Sequence, residues 1–256
     1  MTKATTTIDA TPSTAIVTWK EKMAAVTAQA AASEAPSGGF VSFKGGNISI
    51  SDQLVPGNKL DVIVVDFMLE NAIFREKYNA TKVAVPYCYA YGRDEASMRP
   101  HPESEDPQGG PSGGCIDCKH NEYGSATDGG KGKACRNSRR IAILPADVLQ
   151  KDVPAIGKTK VVIAKIPATS IKNFSSYVTQ CAKVLEVPPF AVVTQMSTAP
   201  HPTSLFTVNW KIQDEIKNQD ALEALYAKRA DIAAIMVQPY PKLEPVAAVA
   251  KSSGKY

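Results

Sequence analysis

The chain has 256 residues, 44% of them hydrophobic, and a net charge of +4 from 29 Lys and Arg against 25 Asp and Glu. That is enough apolar material for one large domain or two small ones, and the mild basic excess hints at a polyanionic partner. The longest apolar runs, such as residues 62–65 and 232–237, are far too short to cross a bilayer, and the Thr-rich start carries no hydrophobic leader, so a cytoplasmic protein without membrane contact is expected.

Residues 1–36 read as an N-terminal arm. Thr11-Pro12 has the form of an N-cap followed by proline at the first helical position, and Ile16, Trp19, Met23 and Val26 then make one apolar stripe over a helix at about 12–30. Ala35-Pro-Ser-Gly-Gly39 is a linker, after which a core over 37–212 reads as strands. Residues 40–50 alternate around Gly45-Gly46, a hairpin signal, and 55–58 is a second turn. Residues 60–67 form a central apolar strand, 69–80 a short helix or loop, and 83–91 another strand. In that strand Tyr87, Tyr89 and Tyr91 share one face while Cys88 points to the other. Further strands are expected at 139–144, 160–166, 190–196 and 205–210, the last two as a pair, with a helix by period over 169–186. A capping box, Asp220-Ala-Leu-Glu223, opens the C-terminal helix within 213–237, and 238–256 is a loose tail.

Four of the five cysteines fall between 88 and 135: Cys88, the pair Cys115 and Cys118, and Cys135. A Cys-x-x-Cys knuckle sets two thiolates on one side of a turn, and two more from distant segments complete a tetrahedral zinc sphere. Residues 92–114 hold four prolines and five glycines with little to bury, so a metal can supply the folding energy they lack. One structural Zn2+ held by Cys88, Cys115, Cys118 and Cys135 is therefore expected, in a ribbon-like insertion over about 92–138. His101 and His120 are substitutes for Cys88, and disulfides would require an oxidising compartment. Cys181 stands apart and reads as a small buried hydrophobe.

Lys131, Lys133, Arg136, Arg139 and Arg140 flank Cys135, and Lys151, Lys158, Lys160, Lys165 and Lys172 form a second basic run. Single-stranded nucleic acid needs cations for its backbone and rings for its unstacked bases. The expected interface pairs Tyr87, Tyr89, Tyr91 and Phe43 with Lys131, Lys133, Arg136, Arg139 and Arg140. The Gly-Gly-Lys-Gly-Lys run at 129–133 fails as a phosphate loop because no Lys-Ser or Lys-Thr follows. Asp61, Asp66 and Glu70 suggest a nuclease cluster, but Asp61 and Asp66 are an odd number apart and face opposite ways on a regular strand. With three histidines and no catalytic setting for any, no enzyme is expected. Short strands, a late helix and a long insertion suit a mainly β fold with flanking helices, an OB-like barrel carrying the zinc insertion.

Phe43-Lys-Gly-Gly46, Pro56-Gly-Asn58, Cys88 with Ala90-Tyr-Gly-Arg-Asp-Glu95, Pro100-His101, and Cys115-x-x-Cys118 with Asn121, Gly124-Ser125 and Gly130-Lys-Gly-Lys-Ala-Cys135 together resemble a group of bacteriophage proteins. The resemblance spans about 38–210 and implies a phage origin and a metal cluster on the four cysteines. In architecture the chain is similar to the helix-destabilising single-stranded DNA-binding proteins of large phages, which place a zinc subdomain within an OB-fold. It departs from them in lacking an acidic tail. The function this implies is single-stranded DNA binding in phage replication or recombination within the infected cell, with phage replication proteins as further partners. The alternative is a zinc-stabilised interaction protein that modulates a replication or transcription enzyme.

Overall fold

A computed structural model describes residue 23 and residues 39–51, 53–76, 84–127 and 129–240. The chain divides into two units, Met1–Gly39 and Phe40–Tyr256. The helix expected over 12–30, but for Met23, and the tail from 241 onward lie outside the described residues.

Among the described residues of the second unit, nine strands make one sheet. Strands β1 (Phe40–Ser42) and β2 (Ser49–Ile50) form the hairpin expected about Gly45-Gly46, whose φ angles of 63° and 82° favour glycine. Next come β3 (Gln53–Leu54), the Pro-Gly-Asn turn, β4 (Lys59–Ile73), β5 (Cys88–Gly92), β6 (Arg136–Pro145), β7 (Val162–Ile166), β8 (Val192–His201) and β9 (Leu205–Glu215). The spatial order is β3-β2-β1-β7-β6-β4-β8-β9, with β5 also on β4. Only the β1–β7 pairing is parallel.

The long strand β4 organises this sheet. One of its edges pairs with β6, from Val62 to Ala72. The other edge pairs first with β8, over 59–62, and then with β5, over 69–73. Residues 69–73 are thus strand, not the short helix or loop expected, because β5 and β6 hydrogen-bond to both sides of a stretch that looks too polar to sit mid-sheet. A bulge between Val64 and Asp66 resets the alternation of side chains. Val62, Val64 and Phe67 therefore face one core, while Ile63, Val65 and Met68 face the other. The bulge also puts Asp61 and Asp66 on one face, contrary to the odd-spacing argument.

The turn after β1 approaches β8 and β9: Thr198 Oγ1 donates to the Gly46 carbonyl, and Gly46 packs on Phe206. The sheet is curled into a half-barrel. Among the described residues of this unit, four α-helices accompany the strands: α1 (Val153–Lys158), α2 (Ile171–Gln180), α3 (Gln219–Asp231) and α4 (Ala233–Met236). Helix α2 fills the concave side with Phe174 and Tyr177, and Cys181 just beyond it is fully buried there, a small hydrophobe as expected. Helices α1, α3 and α4 cover the opposite face through Ile156, Leu225, Ile232 and Met236. The cap of α3 is Asn218, whose side-chain oxygen accepts from the Ala221 N–H at 3.1 Å, so the capping box expected at Asp220 does not form. No helix among the described residues is long and apolar enough to cross a membrane.

Asp66, 4% exposed, ties α3 and the start of the insertion to β4. Arg93 grips its carboxylate at 2.5 and 2.7 Å and Arg229 at 3.3 Å. Burial pushes this carboxyl up, but the Arg93 bond and charge, the Phe67 N–H and Arg229 outweigh it and hold the pKa below the ordinary 3.8. The ionised form is therefore the stabilising one. Its contribution is present above about pH 4 and is lost as pH falls through the lower folded value. At pH 7 Asp66→Asn should cost about 2–3 kcal/mol, discounted because both guanidiniums are half-exposed. In melts from pH 7 to pH 3 the wild-type advantage should shrink towards acid; an advantage independent of pH would contradict this role.

Candidate metal centre and nucleic-acid interface

Beyond the bulge, β4, β5 and β6 form a small three-stranded platform whose two faces differ in chemistry. Registers such as Ile73↔Cys88, Asn71↔Ala90 and Asn71↔Asn137 put Leu69, Asn71, Ile73, Cys88, Ala90, Asn137 and Arg139 on one face. The other registers, Ala72↔Tyr89, Glu70↔Tyr91, Met68↔Arg140 and Arg140↔Lys165, put Glu70, Tyr89, Tyr91, Arg140 and Lys165 on the opposite one. The expected division of Cys88 from Tyr89 and Tyr91 is what β5 shows; Tyr87 stands just before the strand and, against expectation, packs on the cysteine side against Ile73, Cys88 and Cys135.

On the first face the insertion folds back over the platform. Cys115 N donates to the Met98 carbonyl at 3.0 Å and Cys135 N to that of His120 at 2.7 Å. Asn121 spans the two halves, donating to the Cys115 carbonyl and receiving Lys133 Nζ and Asn137 Nδ2. At Gly110 a Cβ would collide with Asp117, so the backbone packs on itself there. Cys88, Cys115, Cys118 and Cys135 are each at most 6% exposed and together line one closed pocket of about 10 Å³, beside Asn71 and Gln108. That is room for one water-sized occupant. None is in a disulfide. Among the described residues, however, no group of three or more His, Cys, Asp or Glu side chains is placed to hold a metal ion. The sulfurs share a pocket without closing a coordination sphere.

The electrostatics of that pocket are those of crowded thiols. Burial first and neighbouring sulfurs second raise Cys88, Cys115 and Cys135, together bringing the last two to about 11 and about 12. The Gln108 N–H, 3.2 Å from Cys88 Sγ, works the other way. Thiolates would accumulate here only with a cation among them. Neither candidate substitute lines the pocket. His101 stacks on Tyr89 at 4.9 Å and 20°, and His120 borders a neighbouring groove.

The second face carries cations over rings. Arg140 lies 4.8 Å from the Tyr91 centroid, and Lys165 5.7 Å and Arg136 5.1 Å from that of Phe74; at the edge of the platform Arg75, ion-paired with Glu105, lies 4.8 Å from the centroid of Tyr87, which packs on the cysteine side. The strip runs into a groove of about 350 Å³ between the end of β4 and the loop before Cys135, lined by Phe74, Arg75, Tyr87, Lys133 and Arg136 among others.

The expected interface residues are thereby sorted. Tyr89, Tyr91, Arg136 and the largely buried Arg140 belong to the strip, and Tyr87 and Lys133 to the groove, Tyr87 packing there against Cys88 and Cys135; Lys131 is exposed on the same loop. Arg139 is on the cysteine face, half-buried, where burial lowers its pKa and Glu95 opposes that. Phe43 is in the concave core, 8% exposed and stacked on Phe206, because the curl of the sheet covers its face. Tyr89 is 3% exposed, with His101 on one side and Tyr240 edge-on at 5.1 Å. The strip and its edge also hold Phe74 and Arg75, which no motif marks as interface residues, and Lys165, expected only as one lysine of the second basic run. Lys165 could have been reached by pairing β7 with β6, whereas Phe74 and Arg75 matter only because β4 extends to Ile73.

No protein-family model matches this chain, and no curated protein or solved structure matches it either.

Proposed function

We propose that this is a phage-encoded, zinc-containing single-stranded DNA-binding protein that acts in replication or recombination without catalysis. The observation that carries the reading is the strip of cations over rings on the platform face opposite the cysteines. Exposed cations neutralise phosphates, and rings offer stacking surface only to bases that have left a duplex. The carboxylates that a nuclease would need are engaged elsewhere: Asp66 by Arg93 and Arg229, Glu70 by Lys165 and Tyr240. We read the curled sheet, with α2 in its concavity, as an enlarged OB-like barrel, and residues from about 92 to 138 as its zinc-ribbon insertion.

The chemistry of the donor set suits zinc: four buried thiols line one small pocket, with a backbone N–H already directed at one sulfur, and an ion would have to draw the sulfurs together. Cys88, Cys115, Cys118 and Cys135 would hold it, and the ion would crosslink an insertion that has almost no core of its own. Its part is structural. By stiffening the loop before Cys135 it fixes one wall of the groove.

Elemental analysis of the purified protein should find about one zinc per chain. Cys115→Ser should lose it and make the insertion protease-sensitive while the β core still melts cooperatively. Metal-free protein, or a disulfide between any of the four cysteines, would overturn this part of the proposal.

A labelled oligo-dT strand should bind at low salt and weaken as salt rises, and duplex should compete poorly. One stacked ring contributes about 1–3 kcal/mol, so Phe74→Ala should weaken binding by about tenfold with the fold intact. Lys133→Glu with Arg136→Glu should flatten the salt dependence. Absence of binding at low salt would end the nucleic-acid reading.

A further inference from the structure

We infer that the pocket now filled by the Tyr240 ring is a nucleobase subsite, in which an unpaired base of the bound strand replaces Tyr240, packs on Tyr89 and sets its Watson–Crick edge against Glu70 and Lys165. This rests on the single-strand reading above and adds to it a defined seat for one base.

The phenol of Tyr240 does there what a base edge does. Its hydroxyl donates to Glu70 Oε1 and accepts from Lys165 Nζ at 2.8 Å, while Lys165 Nζ and Glu70 Oε1 are 2.6 Å apart. One acceptor and one donor thus lie side by side at the floor of an aromatic slot. The Watson–Crick edge of each of the four bases offers the complement, an N–H next to a lone pair. A base in a duplex has spent both on its partner strand, so the subsite selects for unpaired bases and not among them. Glu70 is 2% exposed, and its carboxylate is directed at this seat. That placement is costly unless something donates to it.

The segment that brings Tyr240 here is lightly held. Val237 is 44% exposed and Gln238 is exposed. The Gln238 carbonyl accepts from Tyr91 Oη at 3.2 Å and from Arg140 Nη1 at 3.3 Å. These are the same ring and guanidinium that form one end of the strip. Displacement of 238–240 would therefore open the seat, free Arg140 for a phosphate and uncover Tyr91 for the neighbouring base. While the segment stays in place it occupies the site, and the apparent affinity is lowered by the fraction of molecules in which it is closed.

The test uses the full-length protein and a labelled oligo-dT strand, with the matching duplex as control. Tyr240→Ala should bind the single strand about tenfold more tightly than wild type, and Tyr240→Phe, which keeps the ring and loses both hydrogen bonds, should fall between them. Duplex binding should not change. Adding Glu70→Ala to Tyr240→Ala should remove most of the gain, even though deleting a negative charge would by itself strengthen binding to DNA. Thermal melts report whether each variant is folded, and Tyr240→Phe carries the test if Tyr240→Ala is not. If wild type binds and the folded Tyr240 variants bind no tighter, the subsite is wrong and the single-strand function stands. If neither wild type nor variants bind at low salt, the function falls and the subsite with it.

Discussion

Strand alternation is the constraint on which the rest of this molecule depends. Successive side chains of a strand point to opposite sides of the sheet, and β5 alternates Cys88, Tyr89, Ala90 and Tyr91 across the end of β4. Sulfur chemistry and aromatic chemistry are thus separated by the thickness of one sheet rather than by a domain boundary. The bulge near Val65 sets which way each points, because without it the residues beyond would swap faces. Glu70 would then turn towards the thiols, and Asn71 towards the cationic strip.

The two faces carry different energetic burdens. On the cysteine face an insertion of more than forty residues, with almost no regular structure, packs through backbone hydrogen bonds and side-chain amides such as Asn121. Its apolar contribution is little more than Met98 and its cysteines, packed on Ala90 and Leu69 of the platform. Such a segment cannot offset its own ordering entropy without a crosslink. On the opposite face, buried Glu70 is paired with Lys165, and Arg93 and Arg229 hold buried Asp66 ionised. Those pairs fix the strip while Arg136 stays exposed and Lys165 half-exposed, within reach of a phosphate; Arg140 is buried.

The cysteine quartet was legible in the sequence because a knuckle spacing and a Gly- and Pro-rich insertion are local signals. The opposition of Cys88 to Tyr89 and Tyr91 was legible for the same reason. Coverage was not. Alternation says that Phe43 and Tyr89 share a face with their neighbours along the strand, but whether that face is open depends on Phe206 and Tyr240, more than 140 residues away. The extent of β4 was hidden because Glu70 and Asn71 look like the end of a strand; Lys165 and Asn137, which satisfy them, come from elsewhere in the chain. The bulge left no signature in composition, so the odd spacing of Asp61 and Asp66 misled. Asn218 was passed over as a cap in favour of a motif of better form two residues on.

The central claim is that nucleic acid lies on the face of the platform opposite the cysteines. Photo-crosslinking with an oligonucleotide carrying 5-iodouracil at successive positions, followed by peptide mapping, tests it most directly. The account predicts crosslinks at Phe74 and Tyr91, both beside strip cations. Crosslinks concentrated on the cysteine face around Met98 and Ile116, or on β9, would contradict it.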